Sequence, residues 1–150
     1  MSAELRELYQ ETIIDHGRHP RNFGALENAN HHKEGFNPLC GDKIIVHIQE
    51  KNNLLEAIKF EGCGCAISMA SASLMAEVLC GKTKAQADEL FAAFHDLVTT
   101  GRATETLGKL AVFAGVSEFP VRVKCATLAW HTLMAALTND SNPVTTEETL

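Results

Sequence analysis

Residues 43–60 read K-I-I-V-H-I-Q-E-K-N-N-L-L-E-A-I-K-F, and this stretch decides the fold. Its first half alternates apolar with other residues, which is the pattern of a strand with one buried face; the apolar positions are Ile44, Val46 and Ile48. Residues 54–60 form a second strand-like run. The K-N-N linker at residues 51–53 suits a tight turn, because asparagine tolerates positive φ angles. The stretch therefore predicts an antiparallel hairpin with one face that other elements must cover.

A helical pattern precedes this hairpin. Residues 3–16 have apolar side chains at helical spacing behind Ser2, which is the expected N-cap. Gly17 and Pro20 are expected to end this helix. The segment that follows is rich in turn residues, and a short strand is expected near residues 29–34.

The chain after the hairpin has the pattern of several helices. Residues 66–79 carry an apolar stripe, and T-K-A-Q at residues 83–86 fits a capping box that starts another helix. A short helix is expected near residues 105–113, and Pro120 is expected to open a last helix because proline is tolerated in the first turn.

This order of elements predicts an α+β fold. We expect an N-terminal helix, a small antiparallel three-stranded sheet and a helical layer packed on one face of that sheet. Residues 1–138 are expected to form a single domain, and the polar residues 139–150 are expected to be a flexible tail.

Composition narrows the possible partners. The chain has 150 residues, 45% of them apolar and 21% charged, with a net charge of −6. It contains no Lys/Arg run that would neutralise a row of phosphates, so we expect no nucleic-acid partner. Basic residues between His16 and Lys33 form a loose patch that could dock an acidic partner. With no apolar run of membrane-spanning length and no signal-peptide core, the expectation is a cytoplasmic protein without a membrane partner.

The histidines and serines offer weaker signals for a functional site. His47 is expected on the solvent side of its strand, and His95 and His131 on helix surfaces. Ser68, Ser71 and Ser73 are expected to lack a nearby base and acid, which argues against a serine nucleophile.

The five cysteines are the strongest chemical signal in the chain. Cys40 enters the first strong strand, Cys65 begins a helix, and Cys125 lies in the first turns of the last helix. Together with Asp42 they would supply three sulfurs and one oxygen, which suits tetrahedral zinc or iron in a thiolate-held cluster. Each cysteine taken alone is more often a small buried hydrophobe, so spacing by itself indicates only a possible metal site.

Four motifs in order resemble the IscU/SufU/NifU-N family of iron–sulfur cluster assembly proteins. They are D-H-G-R-H-P-R-N-F-G at residues 15–24, N-P-L-C-G-D at 37–42, G-C-A-I-S-M-A-S-A-S at 64–73 and F-P-V-R-V-K-C-A-T-L-A-W at 119–130. The resemblance covers residues 5–136. It implies the α+β fold of that family and a role in iron–sulfur cluster biogenesis.

Two departures resemble the SufU branch of the family. Lys124 stands where the IscU branch has a histidine before the third cysteine, and the interval from Cys65 to Cys125 is lengthened around residues 82–101. The SufU branch implies a bound Zn²⁺ and a sulfur acceptor that takes persulfide from a SufS-type cysteine desulfurase.

The resemblance also implies a role for each site residue. Cys40 is predicted to accept sulfur, and Cys40, Asp42, Cys65 and Cys125 to hold the metal. Independently of the resemblance, the positions of Arg122 and Lys124 close to Cys125 in the sequence predict that they give electrostatic support to the thiolates.

Two alternatives remain open at this stage. The same residues could assemble a [2Fe–2S] cluster and pass it to apo-acceptor proteins, or the chain could be a non-catalytic, zinc-stabilised interaction module. In each case we expect a partner of the assembly machinery rather than a stand-alone enzyme, as a monomer or weak oligomer. Cys63 is predicted to be a bystander, with a role as a spare sulfur relay as the lesser alternative, and the sequence assigns no role to Cys80.

Overall fold

The structure is a computed structural model that describes residues 10–138 and 144–146. Its helices are α1 (Glu11–Arg18), α2 (Ala66–Leu79), α3 (Lys84–Thr100) and α4 (Pro120–Thr138), and a 3₁₀ segment (Glu105–Glu118) lies between α3 and α4. Its strands are β1 (His31–Asn37), β2 (Asp42–Lys51), β3 (Leu54–Cys63) and β4 (Val144–Thr145). Helices and a sheet in this order confirm the predicted α+β class.

The predicted hairpin is formed by β2 and β3. The strands are antiparallel, with Val46 opposite Phe60. Asn52 and Asn53 adopt φ angles of 53° and 65°, so the turn uses the left-handed conformation that the two asparagines predicted. β1 pairs antiparallel with the other edge of β2, as the expected short strand.

A fourth strand corrects the prediction of a three-stranded antiparallel sheet. β4 pairs parallel with β1, so the strand order is β3-β2-β1-β4 and the sheet is mixed. Thr146 continues this attachment, because its backbone N–H donates to the carbonyl of Phe36 at 3.1 Å. Part of the segment predicted to be a flexible tail is therefore held on the sheet, while residues 139–143 and 147–150 lie outside the described part.

The first helix also differs from its prediction. Residues 2–9 of the prediction lie outside the described residues. The described helix begins only at Glu11, because Gln10 has an extended conformation as its N-cap, and it ends at Arg18 rather than before Gly17. Gly17 continues the helix and meets the start of α2, where an added Cβ would lie 3.0 Å from the carbonyl oxygen of Ala66. The glycine is therefore a close-packing residue and not a helix stop.

The helices cover the apolar face of the sheet. α2 was predicted to bury one stripe, yet nearly all of it is buried because it packs against α1, α4 and β3. Its small Ala and Ser side chains allow this close approach. α4 adds the buried Trp130, which stacks on Phe94 of α3 with ring centroids 4.7 Å apart.

The boundaries of α3 and of the 3₁₀ segment have local causes. The predicted capping box is present, since Thr83 Oγ1 accepts from the N–H of Gln86 at 3.2 Å and the Gln86 side chain accepts from the N–H of Thr83 at 2.9 Å. The short helix predicted near residues 105–113 is a 3₁₀ segment that is interrupted at Gly108, where φ is +52°.

Among the described helices, none combines the length and the apolarity needed to span a membrane.

The loose basic patch predicted near the N-terminus is divided by the fold. His16 and Lys33 are buried, and Arg21 forms an ion pair with Asp15 at 2.7 Å. His47 lies on the face of its strand opposite to the core residues Val46 and Ile48, as expected, but it is buried there beside His32 and Glu61. Two of the predicted basic residues are therefore buried, and a docking role for the exposed ones stays a prediction.

His16 lies in the contact between α1 and α2. Its Nδ1 is 2.7 Å from Ser73 Oγ, which also accepts from the backbone N–H of Arg21 at 2.9 Å. Sequence reasoning missed this base beside Ser73, although the serine is fully buried and cannot meet a substrate. Burial lowers the pKa of His16, and the positive charge of Arg21 lowers it further.

This lowered pKa predicts a loss of stability in mild acid. The unfolded chain binds a proton to His16 more readily than the folded chain, so the free energy of unfolding should fall as the pH drops below the ordinary histidine pKa. Denaturant unfolding at pH 7 and pH 5 should show a smaller fall in His16→Gln than in the wild type. The exposed His19→Gln variant is the control, and an unchanged pH response in His16→Gln would contradict the prediction.

Candidate metal centre

Three of the four predicted ligands come together at one end of the sheet. The ligand atoms of Cys40, Asp42 and Cys125 all lie within 4.8 Å of one another. The two sulfurs are 3.2 Å apart. Cys40 lies on the loop before β2, Asp42 is the first residue of β2, and Cys125 is in the second turn of α4, so three separate elements aim these groups at one point.

Asn37 is a site residue that sequence reasoning missed. It is fully buried at the end of β1, directly opposite Asp42. Its side-chain amide donates to Asp42 Oδ2 at 3.1 Å and to the sulfur of Cys125 at 3.5 Å. Its oxygen accepts from the hydroxyl of Thr146 at 2.9 Å, which fixes the orientation of the amide. The motif N-P-L-C-G-D contained Asn37, but only the register of β1 on β2 reveals its role.

The Asp42 carboxylate is fixed from a second side. The backbone N–H of Cys65 donates to Asp42 Oδ1 at 2.9 Å. Gly64 permits this approach, because a Cβ there would lie 2.5 Å from the same oxygen. Asp42 is fully buried, and its hydrogen bonds orient the carboxylate towards the sulfurs of the triad.

Cys65 is the N-cap of α2, as its position in the sequence predicted. Its sulfur accepts from the backbone N–H of Ser68 at 3.5 Å. In the part of the chain that the structure describes, Cys65 is not a member of the 4.8 Å group, but it adjoins that group through Cys125.

The hydrogen bond between Cys125 and Cys65 changes the pKa values of the two thiols in opposite directions. It lowers the pKa of Cys65 to about 6, with help from the Ser68 N–H and Arg122 and against the opposing effects of burial and Asp42. The same bond, together with burial, raises the pKa of Cys125. Both shifts favour negative charge on Cys65 over Cys125, whose sulfur also donates to that of Cys40 at 3.2 Å.

Arg122 provides the positive charge at this centre. Its Nη1 is 3.7 Å from the sulfur of Cys40 and 3.8 Å from that of Cys125. This geometry stabilises negative charge on either sulfur. Lys124, predicted to give similar support, lines a recess with Thr127, His131 and the residues of β4.

Cys40 opens onto a surface cleft of about 500 Å³. Leu39 and Val121 also line this cleft and are 63% and 58% exposed. The cleft gives the sulfur of Cys40 an approach from solvent, whereas Cys125 is fully buried.

The donor set fits a tetrahedral metal. With Zn–S bonds of about 2.3 Å, two sulfurs on one zinc lie about 3.8 Å apart. The sulfurs of Cys40 and Cys125 are 3.2 Å apart, so they would separate by about 0.6 Å to bind one zinc ion. The Asp42 oxygen lies within 4.8 Å of both sulfurs. Thiolate and carboxylate ligands suit zinc, and thiolates also suit the iron of a cluster.

Comparison with known proteins gives the family. A family model described as the NifU-like N-terminal domain matches residues 8–139. The chain belongs to this family. The match confirms the resemblance carried by the four sequence motifs.

Two curated relatives of this NifU-like domain have different names. The chain is 40% identical over 134 residues to the zinc-dependent sulfurtransferase SufU of Bacillus subtilis, and the match covers 88% of this chain and 90% of that protein. It is 36% identical over 142 residues to the iron–sulfur cluster assembly scaffold protein IscU of Streptococcus pyogenes, with 93% and 89% covered.

Solved structures agree on the fold. The crystal structure of a protein described as an iron–sulfur cluster assembly scaffold for the SUF system, from Fervidobacterium islandicum AW-1, is 37% identical. It matches with a TM-score of 0.83 over 88% of this chain and 98% of that one. The N-terminal domain of a NifU-like protein from Brucella abortus is 18% identical with a TM-score of 0.84, over 91% and 96% of the two chains, and shows the fold alone.

The other two cysteines of this NifU-like domain are exposed. Cys63 ends β3 opposite Lys43. The thiol of Cys80 follows α2 and donates to the carbonyl of Glu56 at 3.4 Å. Among the described residues, neither belongs to the group of ligand atoms around Asp42.

Proposed function

We propose that this protein acts in iron–sulfur cluster assembly as a zinc-holding sulfur acceptor. The observation that carries the proposal is the convergence of Cys40, Asp42 and Cys125, with Cys65 beside them. The relative of 40% identity named as a zinc-dependent sulfurtransferase supports it.

Four residues would hold the metal. Cys40, Asp42 and Cys125 are already grouped, and Cys65, which contacts Cys125, would be the fourth ligand of a tetrahedral set. When bound, Zn²⁺ would keep the thiols deprotonated at neutral pH. Asn37 and the N–H of Cys65 would orient the carboxylate of Asp42 in that set.

Cys40 is the proposed acceptor of sulfur. Its thiolate attacks the outer sulfur of the donor's persulfide, a new S–S bond forms at Cys40, and the donor's S–S bond breaks to release the donor thiolate. One S–S bond replaces another, so no oxidant or reductant is consumed. Arg122 stabilises the negative charge on Cys40 before the attack, and the cleft beside Leu39 and Val121 admits the donor.

The donor would be a cysteine desulfurase of the SufS type. Leu39 and Val121, which line the same cleft as Cys40, offer it an exposed apolar contact. A cytoplasmic location belongs to the same proposal, because a reducing compartment keeps the accepting thiol free of disulfides.

A scaffold function is the second candidate. Three cysteine sulfurs close to a carboxylate could hold a [2Fe–2S] cluster as cargo for apo-proteins, since such clusters are bound mainly by thiolates. The relative of 36% identity named as an assembly scaffold favours this alternative.

Metal analysis combined with a desulfurase assay distinguishes these functions. The proposal predicts about one tightly held Zn²⁺ per chain and faster turnover of a SufS-type desulfurase when the chain is added. A coloured, cluster-loaded protein after anaerobic reconstitution, without desulfurase stimulation, would favour the scaffold. Bound zinc with neither activity would leave only a zinc-stabilised interaction module and would contradict the proposal.

A further inference from the structure

A pair of histidines lies on the face of the sheet that points away from the helices. His32 of β1 is directly opposite His47 of β2, and their Nδ1 atoms are 2.7 Å apart. Glu61 of β3 lies diagonally beyond His47, with its carboxylate oxygen 2.7 Å from His47 Nε2. The three side chains form one row across three paired strands.

The carboxylate fixes the tautomer of His47. An ionised carboxylate can only accept a hydrogen bond, so His47 Nε2 carries the proton and donates to Glu61. In neutral His47 the lone pair is therefore on Nδ1, which faces the Nδ1 of His32. A histidine held by a carboxylate at one nitrogen, with the other nitrogen free, is the usual arrangement of a histidine that binds a metal.

The pair is positioned by rigid elements. The His47 side chain is only 10% exposed, and the strands on both sides of it are paired along its length. The two rings stand at 83° to each other with centroids 4.9 Å apart, so they do not stack and their edges meet. His32 is exposed, so its ring is accessible to solvent while its Nδ1 contacts His47.

We propose that His32 and His47 form a second metal site for a borderline divalent cation such as Zn²⁺, Ni²⁺ or Co²⁺. Imidazole nitrogens are suitable ligands for these ions, and water would complete the coordination. Glu61 is a positioning residue that holds the His47 ring and its tautomer.

Loading the site requires only a small rearrangement. In the hydrogen-bonded pair the Nδ1 proton belongs to His32, so metal binding needs this proton to move to the exposed Nε2 of the same ring. Both Nδ1 lone pairs then face the metal, and no net proton is lost from the neutral pair. With metal–nitrogen bonds of about 2.0–2.1 Å, the separation of the two Nδ1 atoms would widen to about 3.3 Å.

This site is separate from the thiol centre. His47 lies five residues along β2 from Asp42, which corresponds to about 17 Å at the usual rise of a strand. The outer face of the sheet carries the histidines, whereas Asp42 and Cys125 are buried on the side of the helices. The proposal therefore does not depend on which metal or cluster the thiols hold.

Counting Zn²⁺ equivalents in the full-length chain tests this site. Equilibrium dialysis against Zn²⁺ should give one equivalent more for the wild type than for His32→Gln or His47→Gln, whatever the thiol centre binds. Glu61→Gln should weaken this equivalent by about tenfold. The matched control is His31→Gln, because His31 is the neighbouring residue of β1 and bonds a carboxylate, Glu50, but is not opposite a histidine.

The nitrogen signals of the histidine rings identify the ligands directly. Zn²⁺ should shift the Nδ1 resonances of His32 and His47 in ¹⁵N NMR of the wild type, and should place the His32 proton on Nε2. If His47→Gln fails to fold, the number of Zn²⁺ equivalents bound by the exposed His32→Gln variant can still be compared with that of the wild type. Equal zinc uptake by the wild type and His32→Gln, or shifts confined to other histidines, would overturn the proposal.

Discussion

Replacing Cys125 by serine is expected to lower the affinity of the chain for Zn²⁺ by more than about 100-fold. Loss of a residue that only orients a ligand already costs about 10–100-fold, and Cys125 is itself a member of the triad with Cys40 and Asp42. Serine is close in size and can still accept from the Asn37 amide, so the fold should be kept. Competition with a zinc chelator measures the change.

Cysteine variants outside the centre supply the control for this loss. Cys80 is exposed and its thiol donates to a backbone carbonyl, so Cys80→Ser should hold zinc like the wild type. Cys63→Ser should do the same, because Cys63 is a predicted bystander two residues before Cys65. Unchanged zinc affinity in Cys125→Ser, or an equal loss in Cys63→Ser, would show that the ligands have been assigned wrongly.

Replacing Cys40 by serine is expected to abolish uptake of sulfur from a cysteine desulfurase. A hydroxyl is not ionised at neutral pH and cannot attack a persulfide, whereas the sulfur of Cys40 lies beside Arg122 and opens onto the cleft. The assay is transfer of labelled sulfur from cysteine through the desulfurase to this chain. Some zinc should remain, because the other proposed ligands are unchanged.

Cys65→Ser separates the loss of an acceptor from the loss of a ligand. Both variants remove one proposed ligand, but only Cys40→Ser removes the proposed acceptor. Cys65→Ser should therefore retain measurable sulfur uptake while Cys40→Ser shows none. The opposite ranking would make Cys65, whose pKa is lowered to about 6, the acceptor in place of Cys40.

Local signals in the sequence predicted the local structure. The alternation at residues 43–49 and the two asparagines of the turn predicted the hairpin, because both depend on neighbouring residues alone. The capping box at Thr83 and the bounds of α2 were predicted for the same reason. The spacing of apolar residues also predicted the helical layer, since the pattern of each helix is contained within that helix.

Features that depend on contacts between distant residues could not be predicted in this way. β4 has only two residues and is held by β1, more than a hundred positions earlier in the chain. Gly17 looked like a helix stop because its contact with Ala66 is invisible in the sequence. The buried state of His47 depends on its register opposite His32 and beside Glu61.

The candidate site also has some features that the sequence predicted and others that depend on contacts between distant residues. The four motifs placed Cys40, Asp42, Cys65 and Cys125 in one set, and the structure brings three of them within 4.8 Å while Cys65 adjoins through Cys125. Asn37 was missed because its hydrogen bonds to Asp42 and Cys125 join three different elements.

Mapping the persulfide on the chain tests the proposed acceptor most directly. The zinc-loaded protein is incubated with a SufS-type desulfurase and cysteine, alkylated, digested and analysed by mass spectrometry of its cysteine-containing peptides. One additional sulfur atom on the peptide that contains Cys40, and on no other peptide, is the expected result. Sulfur on the peptide of Cys63 or Cys65 with Cys40 unmodified, or on none of them, would contradict the proposed acceptor.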